Sequence, residues 1–217
     1  MTDKPKTWVA MTAATVAVPA SRCGNHPPDR CLVGIGLFIA EHGATGRWHF
    51  ERYAHALIAG EREDGLLEAI ADRLPPFATL IGWNVDQVLV PLLLETAAVV
   101  PPTIEHHFSA RLYRLLSGGV VDMALCHGGM GAPPLATVAR TTAIDAPDMD
   151  ADGIASAWAS GEVRQLHADL ADEALALWRI FVRAAGSPGV EVDVATDAWL
   201  ERRKSLRLIE QTGGEGR

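Results

Sequence analysis

Leu80-Ile-Gly-Trp-Asn-Val-Asp-Gln-Val-Leu-Val-Pro-Leu-Leu-Leu94 is the stretch on which the reading of this chain turns. Its first residues close a short apolar run, Ala78–Gly82, that reads as a strand. Asp86–Ala97 then reads as a helix, because Val88, Leu89, Leu92, Leu93 and Thr96 fall on one side at helical spacing. Pro101-Pro102 ends that segment.

Working outward, Trp8–Val18 is apolar, rich in β-branched residues and bounded by Pro19, the pattern of a buried strand. Ser21–Arg30 carries loop residues, Cys31–Glu41 is a second strand, and His42–Gly46 is turn chemistry before a third strand at Arg47–Tyr53. These three strands form an antiparallel meander. A helix at Glu61–Arg73 precedes the quoted stretch. After it come a short helix at Phe108–Leu116, a fifth strand at Gly119–Leu125, and helices at Pro134–Arg140, Asp152–Ser160 and Glu162–Ala184. Gly186-Ser-Pro-Gly189 closes the last of these, and the tail holds a strand at Val190–Val194, a charged helix and a Gly-rich end expected to be disordered.

The quoted stretch resembles the second motif of the proofreading-type 3'–5' exonucleases of DEDD type, hydrophobic-hydrophobic-Gly-His-Asn, then Phe-Asp, a hydrophobic residue and Pro-x-Leu. Gly82, Asn84, Pro91 and Leu93 fall where that family has them, and Trp83 replaces its His. The resemblance extends over roughly Trp8 to Arg183 and is closest to the predicted exonucleases similar to B-family DNA polymerase proofreading domains. Val121-Asp122-Met123 matches the family's His-Asp-Leu strand, and Pro134–Arg140 resembles its Ser-Leu helix. Asp152-Gly153, Trp158 and Gly161 match the spacing before its last helix, on which Asp169, Leu170, Leu175 and Arg179 fall in register. The resemblance implies an α/β, ribonuclease-H-like fold: a mixed five-stranded sheet, three antiparallel strands then two parallel, flanked by helices. It implies one such domain over residues 1–186 and a C-terminal extension, partly disordered, over 187–217.

The family hydrolyses phosphodiesters with two cations, about 3.5–4 Å apart, held by carboxylates. Carrying those positions over gives Thr12 and Ala14 for the first-strand pair, Leu89 for the second-motif Asp and Gln165 for the helix Tyr; Asp169 alone keeps its identity. One carboxylate cannot ligate and neutralise two hard cations, so the resemblance implies a lost catalytic site and no cofactor. The alternative is a divergent, active 3'–5' exonuclease using Mg or Mn on relocated ligands, for which Asp169, Asp172 and Asp86 are the candidates. The competing expectation puts Asp86 at a helix start and Asp172 and Glu173 on a solvated face.

Other features carry less. His106-His107 are adjacent and diverge on a helix or strand, which disfavours a shared metal. Cys126-His127 lacks a third orienting group, Gly34-Ile-Gly36 lacks the third glycine of a dinucleotide fingerprint, and no Gly-x-Ser-x-Gly elbow exists. Trp158 and Trp178 read as core; Trp83 falls at the mouth of the family's site, where core filling competes with stacking on a base or a partner side chain.

Composition sets the outer bounds. The chain has 217 residues, 48% of them hydrophobic, and a net charge of -8. A dedicated nucleic-acid binder usually carries a basic face, so the charge favours a protein partner or self-association over tight nucleic-acid binding, with single-stranded nucleic acid still a candidate ligand. A nucleic-acid role would require arginines such as Arg111, Arg114, Arg140 and Arg164 on one face. The odd set Cys23, Cys31 and Cys126 has no CxxC and points to reduced thiols and a cytoplasmic setting. The N-terminus lacks a signal-peptide pattern, and the longest apolar runs are too short or interrupted for a membrane span.

Overall fold

In the computed structural model, which describes residues 6–17, 30–58 and 60–213, a five-stranded mixed sheet is flanked by helices on both faces. The strands are β1 (Lys6–Ala17), β2 (Arg30–His42), β3 (Trp48–Ala56), β4 (Thr79–Gly82) and β5 (Val120–Asp122), in the order β3-β2-β1-β4-β5. The first three pair antiparallel; β4 pairs parallel with β1 and β5 parallel with β4. Helices α1 (Glu63–Ala71), α2 (Val90–Ala97) and α3 (Pro102–Leu116) share one face's core with Val9, Met11, Ile35 and Leu37. On the opposite face α4 (Leu135–Thr141), α5 (Ala151–Ser160), α6 (Val163–Ala184) and α7 (Ser187–Gly213) cover Ala10, Ala14, Phe38 and Ala40. The alternation of Val9 and Met11 with Ala10 and Thr12 is the period-two signature of a strand buried on both sides.

Helix α6 lies across β1, β2 and β3, and small residues let it come close. A Cβ on Gly36 would stand 2.1 Å from the Leu170 carbonyl oxygen and 2.9 Å from the Thr12 hydroxyl. The Gly34-Ile-Gly36 pattern therefore serves a close helix-on-sheet approach. Trp178, 1% exposed, anchors the far half of α6 among Trp8, Trp48, Phe38, Phe50 and Phe181.

The structure corrects several element boundaries. Helix α3 starts at Pro102, six residues before Phe108, because proline at the first helical position loses only a donor that has no partner there. Strand β5 stops at Asp122, whose carboxylate accepts from the Ala124 amide and turns the chain into a 3₁₀ helix over Met123–His127. The segment Val190–Val194 is helical, not a strand. Val192, Thr196 and Trp199 recur at i, i+4 and i+7 toward the core, while Val190 and Val194 are exposed. The alternating valines imitate a strand only when the residues beyond them are ignored. Helix α7 packs on α6 and β3: Trp199 meets Phe38 and Phe50 edge-on or tilted, and Asp193 pairs with Arg179 and Arg183. Among the described residues, no helix is long and apolar enough to cross a membrane.

Candidate functional site

The residues from Gly82 to Leu89 turn the chain from the sheet into α2 within a tight space. A Cβ on Gly82 would meet Val85 at 2.5 Å, which explains the glycine. Asn84 takes a left-handed backbone (φ 52), a conformation asparagine tolerates better than most residues. The Asp122 carboxylate clamps this turn by accepting from the amides of Asn84 and Val85, both at 2.9 Å, as well as from Ala124. Val85–Leu89 forms a π-helical turn before Pro91, which cannot donate to a regular helical ladder. The helix expected to begin at Asp86 thus begins wide, and it swings Gln87 and Val88 outward over the end of β1.

That end of β1 is open. Strand β4 pairs with β1 only from Trp8 to Ala10, while β2 pairs with it along its whole length. Beyond Ala10, a cleft of ≈ 600 Å³ lies between β1, the π-helical turn, α2 and α6. Met11, Thr12 and Thr15 line it from the strand, Trp83, Asn84 and Leu89 from the turn, and Glu173 from α6. Trp83 stacks on His127 at 5.6 Å with 21° between the rings, so the indole is both packed and a wall of the cleft.

The positions carried over from the exonuclease motifs distribute unevenly around this space. Thr12 lines the cleft, is 6% exposed and donates to the Leu170 carbonyl oxygen at 3.3 Å. Leu89 also lines it and is 5% exposed, packed into the core beneath α2. Ala14 is fully buried in the small cluster under α6. Gln165 is exposed on α6 and donates to Asp169 at 2.7 Å, so these two polar groups satisfy each other. Asp172 is paired with Arg52 at 2.5 Å, on the side of α6 toward β3, and Asp86 is exposed outside the cleft lining. Asp169, Asp172 and Asp86 do not converge. Among the described residues, no three His, Cys, Asp or Glu side chains form a group that could hold a metal ion.

Glu173 is the cleft residue that the sequence reading misplaced. It does not lie on a solvated face: its carboxyl is partly buried and lines the cleft together with Thr12. Burial pushes its pKa up from 4.5 to about 7; the neighbouring Thr12 hydroxyl works against the rise and the Asp169 charge adds to it. Near neutral pH the carboxyl therefore exchanges between acid and carboxylate. The signal was available in the spacing: Glu173 stands at i+3 from Leu170 and i+7 from Leu166, both buried, which places it on the inner face of α6.

The remaining candidates separate. His106 faces the Pro102 carbonyl oxygen of its own helix at 2.6 Å, and His107 faces Asp72, the residue that follows α1, at 3.4 Å. Cys126 is exposed, Cys31 donates to Glu63 at 3.3 Å, and Cys23 lies outside the described residues. Arg111 and Arg114 sit on α3 at one face of the sheet, while Arg140 and Arg164 sit on helices of the other, with Arg140 paired to Asp148. These four arginines do not gather on one face. No protein-family model and no curated protein matches this sequence.

Proposed function

We propose that this chain is a ribonuclease-H-like protein related to the 3'–5' exonucleases that uses its cleft for binding and has lost two-metal hydrolysis. One observation carries the reading. The cleft stays open where β1 runs past β4, yet its walls offer a hydroxyl at Thr12 and an isobutyl group at Leu89 where hydrolysis needs carboxylates. The order of three antiparallel and two parallel strands supports the fold assignment. The occupant we favour is a protein segment. A net charge of -8 and the dispersal of the four arginines over both faces of the sheet weigh against a tightly held nucleic acid. A cytoplasmic setting belongs to the same proposal.

Glu173 supports a second reading, a divergent exonuclease on relocated Mg or Mn ligands, because it places a carboxyl of raised pKa in the cleft, which Glu95 also lines. The two readings part in a single assay. The purified chain and its Glu173→Gln variant are incubated with 5'-labelled single-stranded DNA and RNA in millimolar Mn²⁺ or Mg²⁺. Binding without hydrolysis predicts intact substrate in both cases. A ladder of 3'-shortened products that disappears with Glu173→Gln would establish the second reading. A companion capture experiment compares the chain with Gln87→Trp, which fills the cleft from an exposed position: a partner held in the cleft is lost with the variant.

A further inference from the structure

We propose that an aromatic cavity at the turn between α6 and α7, remote from the cleft, binds a quaternary ammonium group. This cavity, of ≈ 390 Å³, opens where β1 and the β2–β3 hairpin meet that turn. Trp8, Trp48, Trp178 and Phe181 wall it, with His42 and Glu191 also facing it. A pure core contact would close this space. Here Trp8 and Trp48 are only half-buried and face it, while Trp178 forms a buried floor.

The three indoles are set as inclined walls, not as a stack. Their centroids are 5.5 Å apart for Trp8–Trp48 and 6.4 Å for each of the pairs with Trp178, with planes tilted by 34°, 56° and 60°. Trp178 is pinned: its Nε1 donates at 3.2 Å to the Thr196 hydroxyl of α7, which in turn donates to the Val192 carbonyl oxygen. The polar edge of that ring is thus satisfied on the α7 side. His42 lies 4.8 Å from Trp48 and holds the outer wall.

Aromatic faces are electron-rich and attract a cation within about 6 Å of the ring centroid. Trp178 is 1% exposed, so the rings open to a ligand are the half-buried Trp8 and Trp48, whose centroids lie 5.5 Å apart, close enough for one cation to stand within about 6 Å of both. No lysine or arginine is among the described residues lining the cavity, and Glu191 supplies a negative charge to it. A neutral hydrophobic ligand would gain nothing from that carboxylate. A primary ammonium would have to shed strongly held water, which a quaternary ammonium does not.

The test is calorimetric and tryptophan-fluorescence titration of the full chain with three probes. These are choline chloride, its neutral isostere 3,3-dimethylbutan-1-ol, and a short peptide bearing trimethyllysine. Saturable choline binding with the isostere at least about fivefold weaker is expected. Tighter binding of the peptide than of choline assigns the group to a partner's side chain; the reverse assigns it to a free small molecule. Glu191→Gln, at an exposed position, is expected to weaken choline by about threefold, and Trp48→Leu by about tenfold. Circular dichroism checks that each variant is folded, and Glu191→Gln keeps the test intact should Trp48→Leu fail. No saturable binding of choline or of the peptide up to tens of millimolar, an isostere that binds as well as choline, or a Glu191→Gln variant with unchanged affinity would each overturn the proposal.

Discussion

Replacing Glu173 by glutamine keeps the size of the side chain and removes its titration. The wild-type carboxyl has its pKa raised from 4.5 to about 7 in the folded chain, with burial the main cause. Between those two values the native state holds a proton that the unfolded state has released. Stability therefore falls as pH rises from about 4.5 to about 7, the reverse of a salt-bridged carboxylate, and is level above that window. At about 1.36 kcal/mol for each pKa unit, the full shift corresponds to a ceiling of about 3 kcal/mol. The carboxyl is open to the cleft on one side, so solvent screening brings the expectation to about 2 kcal/mol. Urea unfolding followed by circular dichroism at intervals from pH 4.5 to 8.5 reads this directly. Glu173→Gln should match the wild type near pH 4.5 and exceed it by about 2 kcal/mol at pH 8. Taking the difference between the two proteins cancels the titration of every other group. A difference that stays constant over the whole range, or that favours the wild type at pH 8, would refute the placement of Glu173 in a desolvated site. Asp169→Asn, by removing the charge that adds to the rise, should move the midpoint of that difference to lower pH.

Three further outcomes follow from the packing. Gly36→Ala drives a methyl group into the Leu170 carbonyl oxygen, 2.1 Å from its ideal position, and should cost about 3 kcal/mol in urea unfolding; a loss under about 0.5 kcal/mol would mean that α6 does not rest on β2 as described. Leu89→Asp places a carboxylate at a position 5% exposed and should destabilise by about 2–4 kcal/mol at pH 7 and distinctly less at pH 4, where the group is neutral; equal losses at both pH values would contradict the burial of Leu89. Asp193→Asn removes the negative charge shared by Arg179 and Arg183, and hydrogen exchange of the α7 amides should accelerate for a cost of about 1 kcal/mol; unchanged exchange would show that those pairs do not hold α7.

The sheet was legible because its strands carry their own punctuation. Pro19, the His42–Gly46 turn and Gly82 bound apolar runs whose period and length leave little choice, and the succession of runs fixes the meander followed by parallel strands. Errors fell where a local pattern was read without its tertiary setting. Val190 and Val194 looked like a strand because the helical partner positions, Thr196 and Trp199, lie further along the chain. The fifth strand, expected over Gly119–Leu125, stops at Asp122, which clamps the Asn84 turn in a contact across 38 residues. The cleft itself was legible in the motif-bearing elements that surround it. Glu173 was hidden because a charged residue beside Asp172 suggests solvent, although the helical spacing from Leu166 and Leu170 points it inward. The aromatic cavity could not be read in advance, since Trp8, Trp48 and Trp178 come from three separate elements.

The central claim, a cleft that binds without a two-cation centre, is tested most directly by isothermal titration of Mn²⁺ into the purified chain and into Asp169→Ala. The account predicts no saturable binding at millimolar Mn²⁺ in either protein. Saturable binding to the wild type that the substitution abolishes would contradict it, and would mean that carboxylates around α6 hold a catalytic metal after all.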